Sequence, residues 1–238
     1  MPMLETVGLT HPGKVRSNNE DCYLIAPALG LYAIADGIGG ARAGEHASRL
    51  AIETVSAFVS RFAQRYDGIL VDAFVEAHRQ VRGAAEADPS LNGMGTTLVA
   101  VLESGDGFLL ASVGDSRAYL NETKQLNLIT SDQTWVAEFG RPAGISEDEL
   151  KRHPLRHVLT MAVGADVELR VNAYSVKIAR GSQLLLSTDG LHGVVDEEII
   201  LETLNSGQTL EAKAHYLVEA ALRAGGPDNI TVVLLRAA

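Results

Sequence analysis

The chain has 238 residues, 46% of them hydrophobic, which is enough to bury an ordinary globular core. Its formal net charge of −10 argues against a nucleic-acid partner or an anionic membrane surface, because both require clustered basic residues. The single cysteine, Cys22, excludes an intrachain disulfide. The sequence shows neither a secretory leader nor an apolar run of about 20 residues that could span a membrane. We therefore expect a cytoplasmic protein.

Hydrophobic periodicity predicts both strands and helices. Short apolar or alternating runs, many separated by Gly, Asn or Asp turns, indicate strands, and apolar residues at three- and four-residue steps indicate helices. In chain order the predicted strands cover 4–10, 22–26, 30–35, 96–102, 107–113, 116–120, 125–130, 167–178, 183–188 and 229–235, and the predicted helices lie near 47–62, 70–81 and 210–222. Runs of strands with helices between them indicate an α+β fold in which helices cover antiparallel sheets.

The sequence contains no internal repeat, low-complexity tract or flexible linker, so we predict one domain over 1–238. The stretch 131–163 differs from the rest. It combines charges, prolines at 142 and 154, and a short helical pattern at 146–152. We interpret it as a flap that leaves the core.

Aspartates beside or close to glycine follow several predicted strands. They are Asp36, Asp115, Asp189 and Asp228. An Asp-Gly pair is by itself a turn signal. However, Asp36 and Asp189 directly follow strands of core-like composition, and glycine allows a neighbouring carboxylate to point into a shared space. Converging carboxylates repel one another unless a cation neutralises them, and all-oxygen ligation favours Mg²⁺ or Mn²⁺ over Zn²⁺.

Other catalytic motifs are absent from the sequence. The segment 36–45, DGIGGARAGE, lacks the third glycine of the dinucleotide-binding fingerprint. Neither a P-loop nor a Gly-x-Ser-x-Gly nucleophile motif occurs. We interpret Cys22 as a small core residue.

Six motifs together resemble the metal-dependent protein phosphatase family of type 2C, in its compact bacterial form. In order they are RSNNED (16–21), YAIADGIGG (32–40), GTT (95–97), VGDSRAYL (113–120), LLLSTDGL (184–191) and GGPDNITVVLL (225–235). Each motif is weak, but their shared order and spacing cover nearly the whole chain. The resemblance implies a four-layer α-β-β-α sandwich: two stacked antiparallel sheets flanked by helices, with metals in a cleft at one end.

The resemblance also implies a set of metal ligands and two bound ions, Mn²⁺ or Mg²⁺. By likeness, Asp36 bridges the two ions, Gly37 offers its carbonyl to one, and Asp189 and Asp228 complete the other. Glu20 would hold metal-bound water with Asp21 close by, and Asp115 would bind a third ion together with Asp189. Asn229 is expected to orient the loop rather than to bind metal.

The same residues suit hydrolysis of phosphate monoesters. Two neighbouring cations can activate a shared water, so no covalent intermediate is needed. Arg16 is our candidate for binding two phosphoryl oxygens, and with Asp36 and Asp189 it forms the expected catalytic set. Two positions depart from the family pattern. Ile38 replaces a histidine that protonates the leaving group in many relatives, and Asp132-Gln133 replaces an Asp-His pair in the flap.

The leading hypothesis is therefore a serine/threonine protein phosphatase that acts on phosphorylated proteins and opposes a bacterial kinase, as a monomer. Two alternatives stay open at this point. One is a catalytically weak phosphatase-like module that binds phosphoproteins or regulators, and the other is a metal-dependent hydrolase of small phosphate esters. Retention of Asp36, Asp189 and Asp228 favours an active enzyme, and turnover of phosphopeptides would separate it from a small-ester hydrolase.

Overall fold

The structure, a computed structural model, describes residues 4–40, 42–105 and 107–237. The strands in these ranges are β1 Leu4–His11, β2 Asp21–Ala26, β3 Leu31–Ile38, β4 Gly95–Thr96, β5 Leu98–Ser104, β6 Gly107–Val113, β7 Arg117–Glu122, β8 Gln125–Leu128, β9 Asn172–Val176, β10 Gln183–Ser187 and β11 Ile230–Ala237. The α-helices are α1 Ala43–Ser60, α2 Ile69–Ala87, α3 Glu147–Leu150, α4 Asp189–His192, α5 Glu197–Asn205 and α6 Leu210–Arg223.

The strands form two sheets with antiparallel pairing throughout. The first sheet has the order β1-β11-β10-β7-β8, and the second has the order β2-β3-β5-β6-β9, with β4 attached to the end of β3. Strands β1 and β11, from opposite ends of the chain, pair along their full length, from Leu4 opposite Ala237 to His11 opposite Ile230.

Three apolar layers separate four layers of structure. One lies between α1 and α2 and the second sheet, one lies between the sheets, and one lies between the first sheet and α5 and α6. Strand β3 has a continuous apolar sequence because both of its faces are buried. Leu31, Ala33 and Ala35 face the helices, whereas Tyr32 and Ile34 face the other sheet. Because side chains alternate between faces, a strand buried on both sides is apolar at every position. The predicted four-layer sandwich is confirmed.

Most predicted elements are present with small shifts of their ends. The predicted strand 96–102 is interrupted at Thr97, and the predicted strand 167–178 shortens to β9, Asn172–Val176. Helices α4 and α5 were not predicted. Helix α4 has four residues, and α5 buries only Ile200, Thr203 and Leu204, so neither leaves a long periodic signal.

Segment 131–163 lies outside both sheets. It contains a π-helical turn at Val136–Gly140 and α3, whose N-terminus is capped by the side chain of Ser146. An isolated bridge from Thr134 to Leu159 joins the two arms of the segment, and a second, from Thr96 at the end of β4 to Val163, ties it to the body of the protein. Among the described residues, no helix combines the length and the apolar character that crossing a bilayer requires.

Candidate metal centre

An open cavity of about 840 Å³ lies at one end of the sandwich. The residues predicted for the site that line it are Arg16, Glu20, Asp36, Gly37, Asp115, Asp189 and Asp228. Residues from distant parts of the sequence thus share one cavity. Asp21 does not line it.

The strand register explains why three of the aspartates meet. Ser187 at the end of β10 lies opposite Arg117 on one side and Val232 on the other. Asp189 follows Ser187 by two residues, while Asp115 precedes Arg117 by two and Asp228 precedes the start of β11 by two. In antiparallel strands these positions all lie beyond the same end of the sheet.

Asp36 reaches the cavity from the second sheet. Strand β3 continues through it to Ile38, so Asp36 lies within the strand and not after its end as predicted. Its backbone N–H donates to Oγ1 of Thr97 at 3.0 Å, and its carbonyl accepts from Oγ1 of Thr96 at 2.8 Å and from the Thr97 N–H at 2.9 Å. The break in the sheet between β4 and β5 therefore fixes the backbone of Asp36.

Asp36 and Asp189 both line the cavity, and each affects the pKa of the other. Burial first, and then the charges of Asp21, Asp189, Asp115 and Asp228, raise the pKa of Asp36 well above its usual range. Burial and the neighbouring Asp228 raise the pKa of Asp189, whereas a hydrogen bond with Asp36 lowers it. Oδ1 of Asp189 is buried and has no hydrogen-bond partner among the described residues. An acceptor buried without a donor is costly unless a cation or a proton compensates it.

Asp115 is held by a turn that requires glycine. Gly114 has a φ of +94°, and a Cβ there would lie 2.7 Å from the methyl group of Thr97. Its N–H donates to the side-chain oxygen of Gln133 at 2.9 Å, and its carbonyl accepts from the Gln133 N–H at 2.9 Å. Burial, followed by the charge of Asp189, raises the pKa of Asp115 to about 7.

Asp21 lies behind the cavity, opposite Asp36 in the register of β2 and β3. Its Oδ2 accepts hydrogen bonds from the hydroxyls of Thr188 at 2.9 Å and Thr231 at 2.6 Å, and its Oδ1 has no partner among the described residues. Burial raises its pKa to about 7, although the two hydroxyls lower it. Its position indicates support of the cavity wall, and its predicted role as a direct metal ligand stays a prediction.

Asn229 orients the loops as expected. Its Oδ1 accepts the backbone N–H of Glu20 at 2.8 Å, and its Nδ2 donates to the carbonyls of Pro12 at 3.0 Å and Asn18 at 2.8 Å. Beside it, Asp228 accepts a hydrogen bond from Arg16 at 2.7 Å. One asparagine therefore joins the segment that carries Arg16 and Glu20 to the loop that carries Asp228.

Glycines allow the backbone to come close around the site. A Cβ on Gly44 would lie 1.8 Å from Oε2 of Glu20, and a Cβ on Gly37 would lie 2.1 Å from the carbonyl oxygen of Gly44. Neither position therefore has room for a larger side chain.

The chemistry of these groups fits hard divalent cations. The donors are carboxylates and backbone carbonyls, and buried carboxylates with raised pKa values and an unpartnered oxygen need a neutralising charge. Among residues 4–40, 42–105 and 107–237, no three His, Cys, Asp or Glu side chains are already positioned to hold one ion.

His157 was not assigned from the sequence, yet it lines the cavity, and its charge lowers the pKa of Asp189. No spacing pattern linked it to the aspartates. Two further histidines near the site have structural contacts. His153 stacks on Trp135 with 4.2 Å between ring centroids, and Nδ1 of His192 lies 2.9 Å from the hydroxyl of Ser187.

Arg117 has a structural role, and its partner lies outside its own strand. Its guanidinium donates to both carboxylate oxygens of Asp132, at 3.0 and 2.7 Å. This ion pair connects the start of segment 131–163 to β7.

Ile38, which cannot donate a proton, lines the cavity and is 38% exposed.

Comparisons with known proteins agree on one family. The family described as "Protein phosphatase 2C" matches residues 14–224. The serine/threonine phosphatase stp of Listeria monocytogenes is 34% identical over 95% of this chain and 93% of its own length. The Streptococcus agalactiae serine/threonine phosphatase structure superposes with a TM-score of 0.90 at 29% identity, covering 99% of this chain and all of that one. The catalytic domain of the phosphatase PstP, solved with two manganese ions, superposes with a TM-score of 0.85 at 35% identity over 98% and 97% of the two chains.

Proposed function

The chain belongs to the protein phosphatase 2C family, and from this premise we propose that its cavity binds divalent ions and the phosphoryl group of phosphoserine or phosphothreonine in protein substrates. The chain is a metal-dependent serine/threonine phosphatase. The observation that supports this site best is that Asp36 of β3 and Asp189, which follows β10 in the other sheet, line one cavity with Asp228, whose charge raises the pKa of both.

The residues divide into groups with different tasks. Asp36, Asp189 and Asp228, with the carbonyl of Gly37, are the proposed ligands of two Mn²⁺ or Mg²⁺ ions, and Glu20 is proposed to hold metal-bound water. Bound ions of this kind lower the pKa of water and neutralise phosphoryl charge. Ligation of two ions is supported by the PstP structure that contains two manganese ions.

Asp115 and Asp189 are the proposed ligands of a third ion. Both line the cavity, and the charge of Asp189 contributes to the raised pKa of Asp115. Asp21 would act mainly by fixing β2 against Thr188 and Thr231, next to these ligands.

Arg16 is the proposed phosphate-binding side chain. It lines the cavity, is 54% exposed, and presents a guanidinium whose planar fork can contact two phosphoryl oxygens. Its ion pair with Asp228 places that fork beside the proposed ligands. Ile38 removes the usual proton donor at its position, so the leaving alcohol must be protonated by another group.

The broader setting follows from the same family. We propose a monomeric, cytoplasmic enzyme with one catalytic domain and a flap at 131–163, which opposes a bacterial serine/threonine kinase on that kinase's targets. The named relatives, all serine/threonine phosphatases, favour this over a binding module or a hydrolase of small esters.

A phosphothreonine peptide assay on the purified chain tests the function. We expect phosphate release with Mn²⁺, none in excess EDTA, and a loss of at least about 100-fold in Asp36→Asn and Asp189→Asn, because these changes remove ligand charge. Asp67→Asn, a change of an exposed carboxylate between α1 and α2, is the matched control and should retain activity. Full activity in EDTA would contradict the proposal.

A further inference from the structure

Segment 151–157, KRHPLRH, is the most basic stretch of an acidic protein. Within seven residues it carries Lys151, Arg152 and Arg156 and two histidines, with no acid, in a chain of formal net charge −10. All three cationic side chains are exposed. We call this stretch the basic segment.

Its cations lack ion-pair partners, unlike most arginines in the protein. No described residue forms an ion pair with Lys151, Arg152 or Arg156. Two of the three acids just before them are engaged elsewhere: Glu147 binds Arg141, and Glu149 caps α3 through Ser146. By contrast, ion pairs join Arg16–Asp228, Arg49–Glu45, Arg79–Glu76, Arg82–Asp166, Arg117–Asp132, Arg170–Glu138 and Arg236–Glu5.

The basic segment is a fixed turn. The ring of His153 stacks on Trp135 with 8° between the planes, and its Nδ1 accepts the N–H of Leu155 at 3.2 Å. The carbonyl of His153 accepts the N–H of Arg156 at 3.1 Å. These contacts hold the backbone, so the flanking cations keep a defined position.

The turn leads directly into the wall of the catalytic cavity. His157 and Leu159 line the cavity, and Leu159 is tied to Thr134 by an isolated bridge. Arg156 precedes His157, so its backbone lies one Cα step of about 3.8 Å from a cavity residue. In an extended substrate, groups two to four residues from the phosphorylated residue lie roughly 7–14 Å away, within reach of such side chains.

We propose that the basic segment binds a second anionic group of the substrate, two to four residues from the phosphoserine or phosphothreonine that is hydrolysed. The inference rests on the proposed function and adds a substrate class to it. The second anion is either a Glu or Asp carboxylate or another phosphoryl group. The expected gain is moderate, because exposed ion pairs contribute about 0.2–1 kcal/mol each and are screened by salt.

Three phosphothreonine peptides that differ at one position test the proposal. That position, three residues after the phosphothreonine, carries Gln, Glu or phosphoserine, and kcat/KM is measured for release from the phosphothreonine at low and high salt. We expect kcat/KM for the Glu and phosphoserine peptides to exceed that for the Gln peptide by about two- to thirtyfold at low salt, the range that two exposed ion pairs give. The kcat/KM of the phosphoserine peptide should exceed that of the Glu peptide if the amount of negative charge determines binding. The two values should be equal if a single negative charge saturates the basic segment.

Paired variants assign the effect to the basic segment. In the double variant Arg152→Gln/Arg156→Gln, the kcat/KM of the acidic peptides divided by that of the neutral peptide should fall to about 1. The control Lys124→Gln/Arg180→Gln removes the same charge from exposed loops at the far end of β7 and β10, and should keep the wild-type ratio. Equal kcat/KM for all three peptides in the wild type, or an equal loss of the ratio in the control, would overturn the inference and leave the phosphatase function intact. Failure to hydrolyse any of the peptides would overturn the proposed function itself.

Discussion

The guanidinium of Arg16 donates a 2.7 Å hydrogen bond to Oδ2 of Asp228. The side chain proposed to bind substrate phosphate is thus paired with a carboxylate proposed to bind metal. The two residues are 212 positions apart in sequence, and both stay partly exposed, at 54% and 34% of their side-chain surface. Oδ1 of Asp228 accepts the Asn229 N–H at 2.8 Å, so the carboxylate is oriented from both sides.

Arg16→Ala should raise KM for phosphopeptides by about tenfold or more, because a hydrogen bond to a charged group contributes about 1.5–3 kcal/mol. The change in kcat should be smaller, since the lost contact forms with the bound substrate as well as with the transition state. The KM of Arg16→Lys should lie between those of the wild type and Arg16→Ala, because lysine keeps the positive charge but lacks the planar guanidinium that contacts two oxygens. Steady-state kinetics at saturating Mn²⁺ measures this, with Arg180→Ala as control. An unchanged KM would remove Arg16 from the site.

Asp36→Asn should stabilise the metal-free protein while abolishing hydrolysis. The folded-state pKa of Asp36 is raised above the unfolded value of about 3.9, so ionisation of Asp36 costs folding stability as pH rises past that value. In EDTA, the melting temperature of the variant should exceed that of the wild type by at least about 2–4 °C at pH 8, the shift expected for about 1 kcal/mol.

The advantage of Asp36→Asn should be smaller at pH 5.5 than at pH 8, because the raised pKa of Asp36 makes its folded-state carboxyl take up a proton as the pH falls, which removes the unfavourable charge. Comparing variant and wild type at each pH cancels the titration of groups that do not interact with Asp36, and Asp67→Asn controls for the loss of one acid. A variant less stable than the wild type at pH 8 in EDTA would contradict the burial of an unfavourable charge at Asp36.

Gly190→Ala should damage both stability and activity. A Cβ at this position would lie 1.8 Å from the carbonyl oxygen of Asn229, the residue that joins the Glu20 segment to the Asp228 loop. Overpacking of this kind costs about 1–3 kcal/mol, and the shifted loop would displace Asp228.

The matched control for Gly190→Ala is Gly83→Ala. Gly83 lies inside α2, and a Cβ added there would have no neighbouring atom within 4 Å, so alanine should stabilise the helix by about 1 kcal/mol. Thermal unfolding and phosphopeptide turnover measure both variants. Wild-type turnover in Gly190→Ala would show that the approach of Gly190 to Asn229 is not needed.

Gln133→Ala should lower stability and displace Asp115. The side chain accepts the Gly114 N–H and donates to the carbonyl of Arg170, both at 2.9 Å, and a buried group left unpaired costs about 1–3 kcal/mol. The melting temperature should fall by at least about 2–4 °C, whereas Gln125→Ala on exposed β8 should change it little. Equal melting temperatures for the two variants would contradict this role.

The structural role of Asp132-Gln133 could not be recognised from the sequence alone. At the sequence level it is a departure from the Asp-His pair common in the family. In the structure Asp132 pairs with Arg117, and Gln133 holds the turn that carries Asp115. Both residues therefore have structural partners, and those partners lie on β7 and the Gly114 turn, which no local pattern in segment 131–163 indicates.

The sequence by itself determined the strands, the long helices and the acids of the site, because these depend on local patterns: apolar periodicity, and aspartate beside glycine after a buried run. Tertiary structure alone decided how the acids are arranged. Burial, strand register and contacts across the two sheets bring Asp36 and Asp189 into one cavity, put Asp21 behind that cavity with hydrogen bonds from two threonine hydroxyls, and bring His157 into its wall. Such contacts join residues far apart in the chain, and their energies come from desolvation and from neighbouring charges, which a linear sequence does not specify.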